Sequence, residues 1–302
     1  MADDIGLPST GKAPPCRDVF SHFTKEYHTM FEQIFENVRG KSPLVHCITN
    51  YVTVNDCANM LLACGGSPIM ADDPEDAVEI TGICKGLAIN IGTLNQRTIP
   101  VMLAAGKRAN ELRHPVVLDP VGAGASALRT DTALRPLEEL KLTVIRGNIS
   151  EMKTLAYGSG TTKGVDADVA DRVTEDNLDG AVSFARELAR RTGAVIAVTG
   201  AIDIVADKER AFCIRNGHPE MSSITGTGCQ LSILTAAFVT ANPEHPLEAA
   251  AAAVCAMGLC GEIAHRRMTE LDGNASYRNY IIDAMYRLTP ARLEKGANYE
   301  VR

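Results

Sequence analysis

The stretch GLAINIGTLNQRTIPVMLAAGKRANELRHPVVLD (residues 86–119) carries the strand–helix–strand pattern that decides the fold of this chain. Two short apolar runs, 86–91 and 115–118, enclose a segment at 98–112 whose apolar residues recur with helical spacing. Two strands joined by a helix are typical of a βαβ unit, in which the strands run parallel. The stretch therefore predicts a parallel sheet covered by helices.

The same alternation of apolar runs and helical segments continues along most of the chain. Further strands are predicted at 44–48, 142–145 and 194–199, a hairpin at 204–206 and 211–214, and helices at 20–38, 55–64, 131–141, 179–192, 229–240, 247–267 and 277–288. Repeated βαβ units imply an α/β fold, with a mostly parallel central sheet and helices on both faces. Residues 1–16, rich in Pro, Gly and Ser, are predicted to be a disordered tail, and residues 17–302 to form one domain.

The composition narrows the classes of function. A net charge of -7 disfavours nucleic acid as a partner, because binding to a polyanion usually needs a basic surface. The acidic start MADDIG lacks the apolar segment of a secretory signal, and the nearest candidate for a membrane span, 247–260, is short and is predicted to be a buried helix. The nine cysteines form no CxxC pair, so thiolate-bound zinc is not expected, and a reducing cytoplasm is indicated.

The motif TGTGC (225–229) opens the helix that follows the predicted hairpin. Two glycines let the backbone turn and present several N–H groups together, and the helix N-terminus adds partial positive charge. These features suit a transferring phosphoryl group, although a plain helix cap has the same short pattern. Cys229, in the first turn, is expected to have a lowered pKa and to accept the proton of a substrate alcohol. The alternative is an inert cysteine in the cap region.

Charged residues follow two of the predicted strands. Arg146, which opens RGNISE (146–151), can clamp phosphate oxygens with its forked guanidinium. Glu151 could hold Mg²⁺ directly or through water, or could form a capping box with Asn148. Asp119 precedes a glycine-rich segment and suits a metal or phosphate site, although Asp-Pro and Gly also favour plain turns.

Several other residues at strand ends are weaker candidates. The Thr199 hydroxyl could contact a nucleotide phosphate. Asn50 could hydrogen-bond a substrate hydroxyl, and Met70 could line an apolar pocket, since thioether side chains adapt well to small ring ligands. A Met side chain is more often part of the core than of a binding site, so the role of Met70 is open, and the role of His46 is equally open.

Seven segments, in this order along the chain, resemble the hydroxyethylthiazole kinases, the thiamine-salvage enzymes of the ribokinase-like superfamily. They are SPLVHCITNYV (42–52), GGSPIM (65–70), INIGTL (89–94), LDPVGAGA (118–125), IRGNISE (145–151), AVTG (197–200) and TGTGC (225–229). No single motif would suffice, but seven in register make the resemblance specific. It implies a ribokinase-like three-layer sandwich, and phosphorylation of the hydroxyethyl group of 4-methyl-5-(2-hydroxyethyl)thiazole with ATP and Mg²⁺.

The resemblance also implies roles for single residues. Cys229 takes the position of the catalytic base, where the wider superfamily usually has Asp. The other expected roles are thiazole binding by Met70, Gly226, Asn50, Val52 and His46, nucleotide binding by Arg146, Thr199, Asn148 and Gly228, and Mg²⁺ binding by Asp119 and Glu151. The family forms trimers with substrate sites between subunits. A homotrimer is therefore expected, in which His46 and Val52 serve a neighbouring subunit's pocket.

Other functions stay open at this point. A hydroxymethylpyrimidine or pyridoxal kinase is disfavoured by Cys229 and by the segment HCITN (46–50). A ribokinase-like lyase, such as the ATP-dependent dehydratase that repairs hydrated nicotinamide nucleotides, would keep the nucleotide site. A catalytically silent, ligand-sensing trimer is disfavoured because Arg146, Glu151, Asp119 and Cys229 are all present. In the polar segment 161–176, the residues GVD (164–166) are similar to a stretch of the related enzymes, and the rest is expected to be a flexible cover over the nucleotide.

Overall fold

The computed structural model describes residues 30–158 and 173–302. The predicted tail at 1–16, the first part of the helix predicted at 20–38 and most of the segment 161–176 lie outside the described residues. The described strands form one nine-stranded sheet.

The strands and helices alternate through the first two thirds of the chain. The strands are β1 (Leu44–Ile48), β2 (Ser67–Ile69), β3 (Gly86–Asn90), β4 (Val116–Asp119), β5 (Val144–Asn148), β6 (Val195–Thr199), β7 (Asp203–Ala206), β8 (Ala211–Ile214) and β9 (Tyr299–Val301). The helices are α1 (Met30–Lys41), α2 (Val54–Cys64), α3 (Ala77–Ile83), α4 (Thr98–Glu111), α5 (Ala127–Glu139), α6 (Ile149–Tyr157), α7 (Leu178–Thr192), α8 (Thr227–Ala241), α9 (Pro246–Arg267), α10 (Asn274–Arg287) and α11 (Pro290–Gly296).

The sheet is parallel over its first six strands and antiparallel at one end. The strands lie in the order β2-β1-β3-β4-β5-β6-β7-β8-β9. Strands β1 to β6 pair in parallel, whereas β7, β8 and β9 are antiparallel to their neighbours. Successive side chains of each strand point to opposite faces. Val117 accordingly packs in the core that contains α1, α2, α8, α9 and α10, while Val116 and Leu118 pack in the core that contains α4 to α7. This arrangement confirms the predicted mostly parallel sheet with helices on both faces.

The strand and helix boundaries differ from the prediction where a polar residue continues an element. Strand β5 extends to Asn148 instead of ending at Ile145, so Arg146 lies within the strand. Helix α5 begins four residues earlier than predicted, because the Ser126 side chain accepts a hydrogen bond from the Arg129 N–H. Strands β2 and β9 and helices α3 and α11 were not predicted, since they are short and their apolar patterns are weak.

Helix α9 is the one described helix that is long and apolar enough to cross a membrane by length and composition. Of its most apolar 18-residue window, 89% is buried inside the protein. The stretch predicted at 247–260 is therefore the buried core helix that the sequence indicated.

Candidate active site

Most of the predicted site residues meet at the carboxyl ends of β1 and β3 to β6, beside the N-terminus of α8. In an open α/β sheet this edge is where ligands bind, because the loops there leave a crevice. The register places Asn90 beside Asp119 and Asn148 beside Thr199 on neighbouring strands. The sheet itself thus brings together polar residues that lie far apart in the sequence.

Cys229 lies in the first turn of α8 and is partly exposed, whereas all other described cysteines are buried. Its sulfur accepts hydrogen bonds from Asn50 Nδ2 at 3.1 Å and Asn90 Nδ2 at 3.3 Å. The expectation of a lowered pKa is wrong, because burial raises the pKa of the Cys229 thiol and the nearby Asp119 carboxylate raises it further. The helix N-terminus alone therefore does not make this residue a thiolate.

Asp119 is a buried carboxyl group at the end of β4. Its Oδ2 accepts hydrogen bonds from Ser232 Oγ at 2.7 Å and Asn90 Nδ2 at 2.8 Å, and Arg146 Nη1 lies 3.6 Å away. Its Oδ1 is buried and has no hydrogen-bond partner among the described residues. Burial raises the pKa of Asp119, and the Arg146 guanidinium opposes that rise.

Arg146 connects the Asp119 carboxylate to the end of β6. Its Nη2 donates to Thr199 Oγ1 at 2.9 Å, and its Nε is buried without a partner in the part of the chain that the structure describes. Gly228 lies directly against the guanidinium, because a Cβ atom at that position would be 2.6 Å from Arg146 Nη1. The guanidinium therefore faces the first turn of α8, where the backbone N–H groups have no partners within the helix.

Glu151 forms the capping box that the sequence left as an alternative to a metal ligand. Its Oε2 accepts the Asn148 N–H at 2.8 Å, and its N–H donates to Asn148 Oδ1 at 2.8 Å. Its other oxygen, Oε1, accepts the Gly122 N–H at 2.8 Å and so joins the loop after β4 to the start of α6. Burial raises the pKa of Glu151 to about 6, and the Asp119 charge adds to that effect.

Gly226 begins α8 with a φ of 89°, in the left-handed region that favours glycine. A Cβ atom there would overlap the Thr53 methyl group, so the loop after β1 packs tightly on this turn. A cavity of about 180 Å³ opens beside this loop and is lined in part by Thr49, Tyr51 and Met70. The structure thus places Met70 at a cavity next to the site, while Val52 is 59% exposed.

Two predicted substrate contacts do not fit the structure. His46 is fully buried, with Nδ1 2.9 Å from Thr81 Oγ1 and Nε2 2.7 Å from the Ala71 carbonyl oxygen. The expectation that His46 contributes to a neighbouring subunit's pocket is therefore wrong. Its side chain supports the loop that carries Met70 instead. The Asn50 amide is already engaged by protein atoms at both ends, so its expected hydrogen bond to a substrate hydroxyl is not supported.

Four residues of this region were missed by the sequence analysis. Asn90 and Ser232 contact Asp119, Arg129 donates to carbonyl oxygens of both loops that follow β3 and β4, and Asp203 accepts the Gly200 N–H at 2.8 Å. Asn90 lies in the segment INIGTL (89–94). It is the one side chain of that segment whose amide can both donate and accept hydrogen bonds. Its position at the end of a buried strand was the available signal.

The ionisation of the Asp203 carboxyl group should make the folding stability of the protein depend on pH. Burial raises its pKa from 3.8 to about 7, so the folded protein retains a proton that the unfolded chain releases. Stability from this group is therefore full below about pH 4 and is lost as the pH rises towards 7. We expect Asp203→Asn to raise Tm relative to the wild type by several degrees more at pH 8 than at pH 5.

Thermal unfolding of both proteins at the two pH values measures this difference. Asp207→Asn, in the turn of the same hairpin, is the matched control for an Asp-to-Asn change. An equal Tm difference at pH 5 and pH 8 for Asp203→Asn would show that the carboxyl group ionises normally in the folded protein.

Comparison with known proteins decides the family. The model of the hydroxyethylthiazole kinase family matches residues 35–291. The chain belongs to this family. The hydroxyethylthiazole kinase of Clostridium acetobutylicum is 63% identical over 271 residues, which are 90% of this chain and 99% of that protein. The hydroxyethylthiazole kinase of Methanocella arvoryzae is 46% identical over 269 residues, covering 89% and 96%.

Solved structures confirm the fold. The hydroxyethylthiazole kinase protein from Pyrococcus horikoshii matches with a TM-score of 0.80 at 34% identity, over 91% of this chain and 99% of that chain. The Staphylococcus aureus pyridoxal kinase in complex with AMP-PCP has a TM-score of 0.55 at 14% identity, over 86% and 97%, and so shares the fold alone. The predicted family and ribokinase-like α/β class are both confirmed.

Proposed function

We propose that this hydroxyethylthiazole kinase family member transfers the γ-phosphoryl group of ATP to the hydroxyethyl group of 4-methyl-5-(2-hydroxyethyl)thiazole in thiamine salvage. The observation that carries the proposal is the convergence of Cys229, Arg146 and Asp119 at the N-terminus of α8. A potential proton acceptor, a phosphate clamp and an array of backbone N–H groups stand there within a single site. The identity of the acceptor alcohol is inferred from membership of the hydroxyethylthiazole kinase family.

Phosphoryl transfer in this site needs positioning and charge stabilisation more than covalent chemistry. The substrate oxygen forms a bond to the γ-phosphorus, the bond from that phosphorus to the β–γ bridging oxygen breaks, and ADP leaves. The hydroxyl proton passes to the Cys229 sulfur when that sulfur is a thiolate. Arg146 and the backbone N–H groups of residues 227–229 stabilise the negative charge on the transferring group.

The side chains around Asp119 fit a bound Mg²⁺. The buried Asp119 Oδ1 has no partner in residues 30–158 and 173–302, so it offers one carboxylate oxygen. Both Glu151 oxygens already accept backbone N–H groups, and we therefore assign Glu151 a contact through water. When bound, Mg²⁺ would offset the charge of the β- and γ-phosphates.

Nucleotide and thiazole occupy opposite sides of Cys229 in this proposal. Arg146, Thr199, Asn148 and Gly228 contact the nucleotide, and all four lie on β5, β6 or the first turn of α8. Met70, Gly226 and Val52 form the thiazole side, where the 180 Å³ cavity adjoins Met70, and Asn50 lies behind this side without contacting the thiazole. This division lets the alcohol oxygen approach the γ-phosphorus from the side opposite the leaving oxygen, as in-line transfer requires.

A homotrimer with pockets between subunits is part of the proposal. Tyr51 is 77% and Val52 59% exposed, and Tyr51 lines the cavity. Apolar side chains with this much exposed surface beside a ligand site are typical of a subunit interface.

Replacing Val52 with glutamate tests the interface. Val52→Glu is expected to shift sedimentation from trimer to smaller species and to raise the KM for the alcohol. A wild-type protein that sediments as a monomer would contradict the proposed trimer.

A cytoplasmic location is also part of the proposal. The eight described cysteines are all free thiols, which supports it.

A coupled assay of ADP release tests the substrate. The thiazole alcohol, hydroxymethylpyrimidine and pyridoxal are compared at equal concentration with ATP and Mg²⁺. The thiazole alcohol is expected to have the highest kcat/KM, and omission of Mg²⁺ should abolish release. A preference for either other alcohol would overturn the substrate assignment, and ADP release without any phosphorylated alcohol would indicate a different reaction.

A further inference from the structure

The side-chain amide of Asn50 has its orientation fixed by the backbone. Its Oδ1 accepts the Thr53 N–H at 3.1 Å and the Thr53 hydroxyl at 3.1 Å. Because a backbone N–H can only donate, the oxygen must face Thr53 and the NH₂ group must face the other way. That NH₂ group donates to Asn90 Oδ1 at 3.0 Å and to Cys229 Sγ at 3.1 Å.

The amide of Asn90 is fixed by the same kind of contact. Its Oδ1 accepts the Gly92 N–H at 2.9 Å, which again can only donate. Its NH₂ group therefore donates to Asp119 Oδ2 at 2.8 Å and to Cys229 Sγ at 3.3 Å. Both asparagines are buried, with 4% and 3% of their surface exposed, so water does not compete for these bonds.

We infer that Asn50 and Asn90 are positioning residues that hold the Cys229 sulfur as a hydrogen-bond acceptor for the incoming hydroxyl. This amide clamp, Asn50 with Asn90, directs two N–H groups at one sulfur. A thiolate accepts both hydrogen bonds, whereas a neutral thiol must also turn its own S–H towards another acceptor. The clamp thus favours the form that can take a proton. The inference deepens the proposed function and rests on it for the role of Cys229.

The surrounding charges do not supply this stabilisation by themselves. Asp119 and burial both disfavour a thiolate at Cys229, and only Arg146 opposes them among the charged groups that affect it. The Cys57 thiol, on the facing helix α2, has its pKa raised to about 12 by burial and stays neutral. Two hydrogen bonds from neutral amides can lower the energy of the thiolate without adding a competing charge.

Asn90 also links the sulfur to the proposed phosphate and Mg²⁺ side of the site. One N–H of its amide binds Asp119 and the other binds Cys229, so a displacement of the Asp119 carboxylate is transmitted to the sulfur. Two N–H donors would hold a carboxylate oxygen as readily as a thiolate, so the clamp would also suit an aspartate at this position.

The test measures alkylation of Cys229 by iodoacetamide between pH 6 and pH 10, with neither ATP nor alcohol present. Mass spectrometry of the peptide that contains Cys229 separates it from all other cysteines. Asn50→Ala and Asn90→Ala are each expected to lower the rate about tenfold at pH 7.5 and to move the midpoint of the pH profile upward, because each removes a hydrogen bond to a charged group. The kcat for phosphorylation should fall by at least the same factor, with little change in KM for ATP.

Asn242→Ala is the matched control. Asn242 is a buried asparagine that follows α8 at its opposite end and donates to the carbonyl oxygens of Ile34 at 3.1 Å and Phe238 at 2.9 Å. It should lower Tm without moving the alkylation profile. If Asn90→Ala does not fold, Asn50→Ser carries the same expectation, since a hydroxyl can remain near Thr53 while both amide donors are lost.

An unchanged alkylation profile in folded Asn50 and Asn90 variants would overturn the amide clamp. The profile needs no turnover, so it separates this inference from the proposed substrate. Wild-type protein that does not phosphorylate the thiazole alcohol, combined with shifted profiles in the variants, would refute the substrate assignment and leave the clamp standing.

Discussion

Replacing Cys229 with serine is expected to lower kcat by a factor of about 10² to 10⁴, the range that a positioned proton acceptor contributes, with a much smaller change in KM. The serine hydroxyl has the size to fill the site and can accept the same N–H donors. It does not ionise near neutral pH, so it cannot take the proton of the substrate hydroxyl. Steady-state assays of thiazole phosphorylation over a range of alcohol and ATP concentrations measure the two constants separately.

Cys229→Asp distinguishes proton acceptance from simple orientation. A carboxylate can accept the proton and both amide hydrogen bonds, so this variant should retain or exceed wild-type kcat. Cys84→Ser, at a buried cysteine outside the site, is the control for a generic change at a thiol. A Cys229→Ser enzyme with wild-type kcat would show that the sulfur is not the base, and inactive but folded Cys229→Asp would count against proton transfer at this position.

The second large effect is expected from Gly228→Ala. The new methyl group would lie 2.6 Å from Arg146 Nη1, so the flexible guanidinium must move away from the N-terminus of α8. Loss of an aligned charge at a transferring phosphoryl group costs about 10² to 10³ in rate. We expect kcat/KM for ATP to fall by that factor while Tm stays close to the wild type, because alanine is a better helix former than glycine.

Gly180→Ala is the matched control in helix α7. A Cβ atom at Gly180 meets no atom within 4 Å, so this variant should have wild-type kinetics and equal or slightly higher stability. If Gly228→Ala keeps wild-type kcat/KM, the guanidinium does not act on the nucleotide. If it unfolds, the contact is structural and the assignment of Arg146 to phosphate needs a direct test with Arg146→Lys.

The sequence predicted the layers of the fold well, because apolar runs and helical periodicity are local signals. It located Asp119, Arg146 and Cys229 because each stands at the end of a predicted apolar run or at the start of a predicted helix. It did not show that His46 is fully buried or that Asn50 is held by Thr53 and Asn90. Those facts depend on contacts between segments far apart in the chain, which periodicity does not report.

The error over the Cys229 pKa has the same origin. A helix N-terminus favours a thiolate, and that effect is readable from the motif TGTGC (225–229). The opposing effects, burial and the charge of Asp119, arise only after β4 and α8 have packed together. Glu151 shows a related limit, since the capping box and the proposed contact through water to Mg²⁺ use one carboxylate and are compatible.

Strand β9 has a consequence for the solution behaviour of the protein. It pairs with β8 through Phe212, Cys213 and Ile214, all of which are buried. A chain shortened before Tyr299 would leave β8 as an open edge with unpaired N–H and C=O groups along an apolar strand. Such edges recruit strands from other molecules, so we expect loss of the three residues of β9 to promote aggregation.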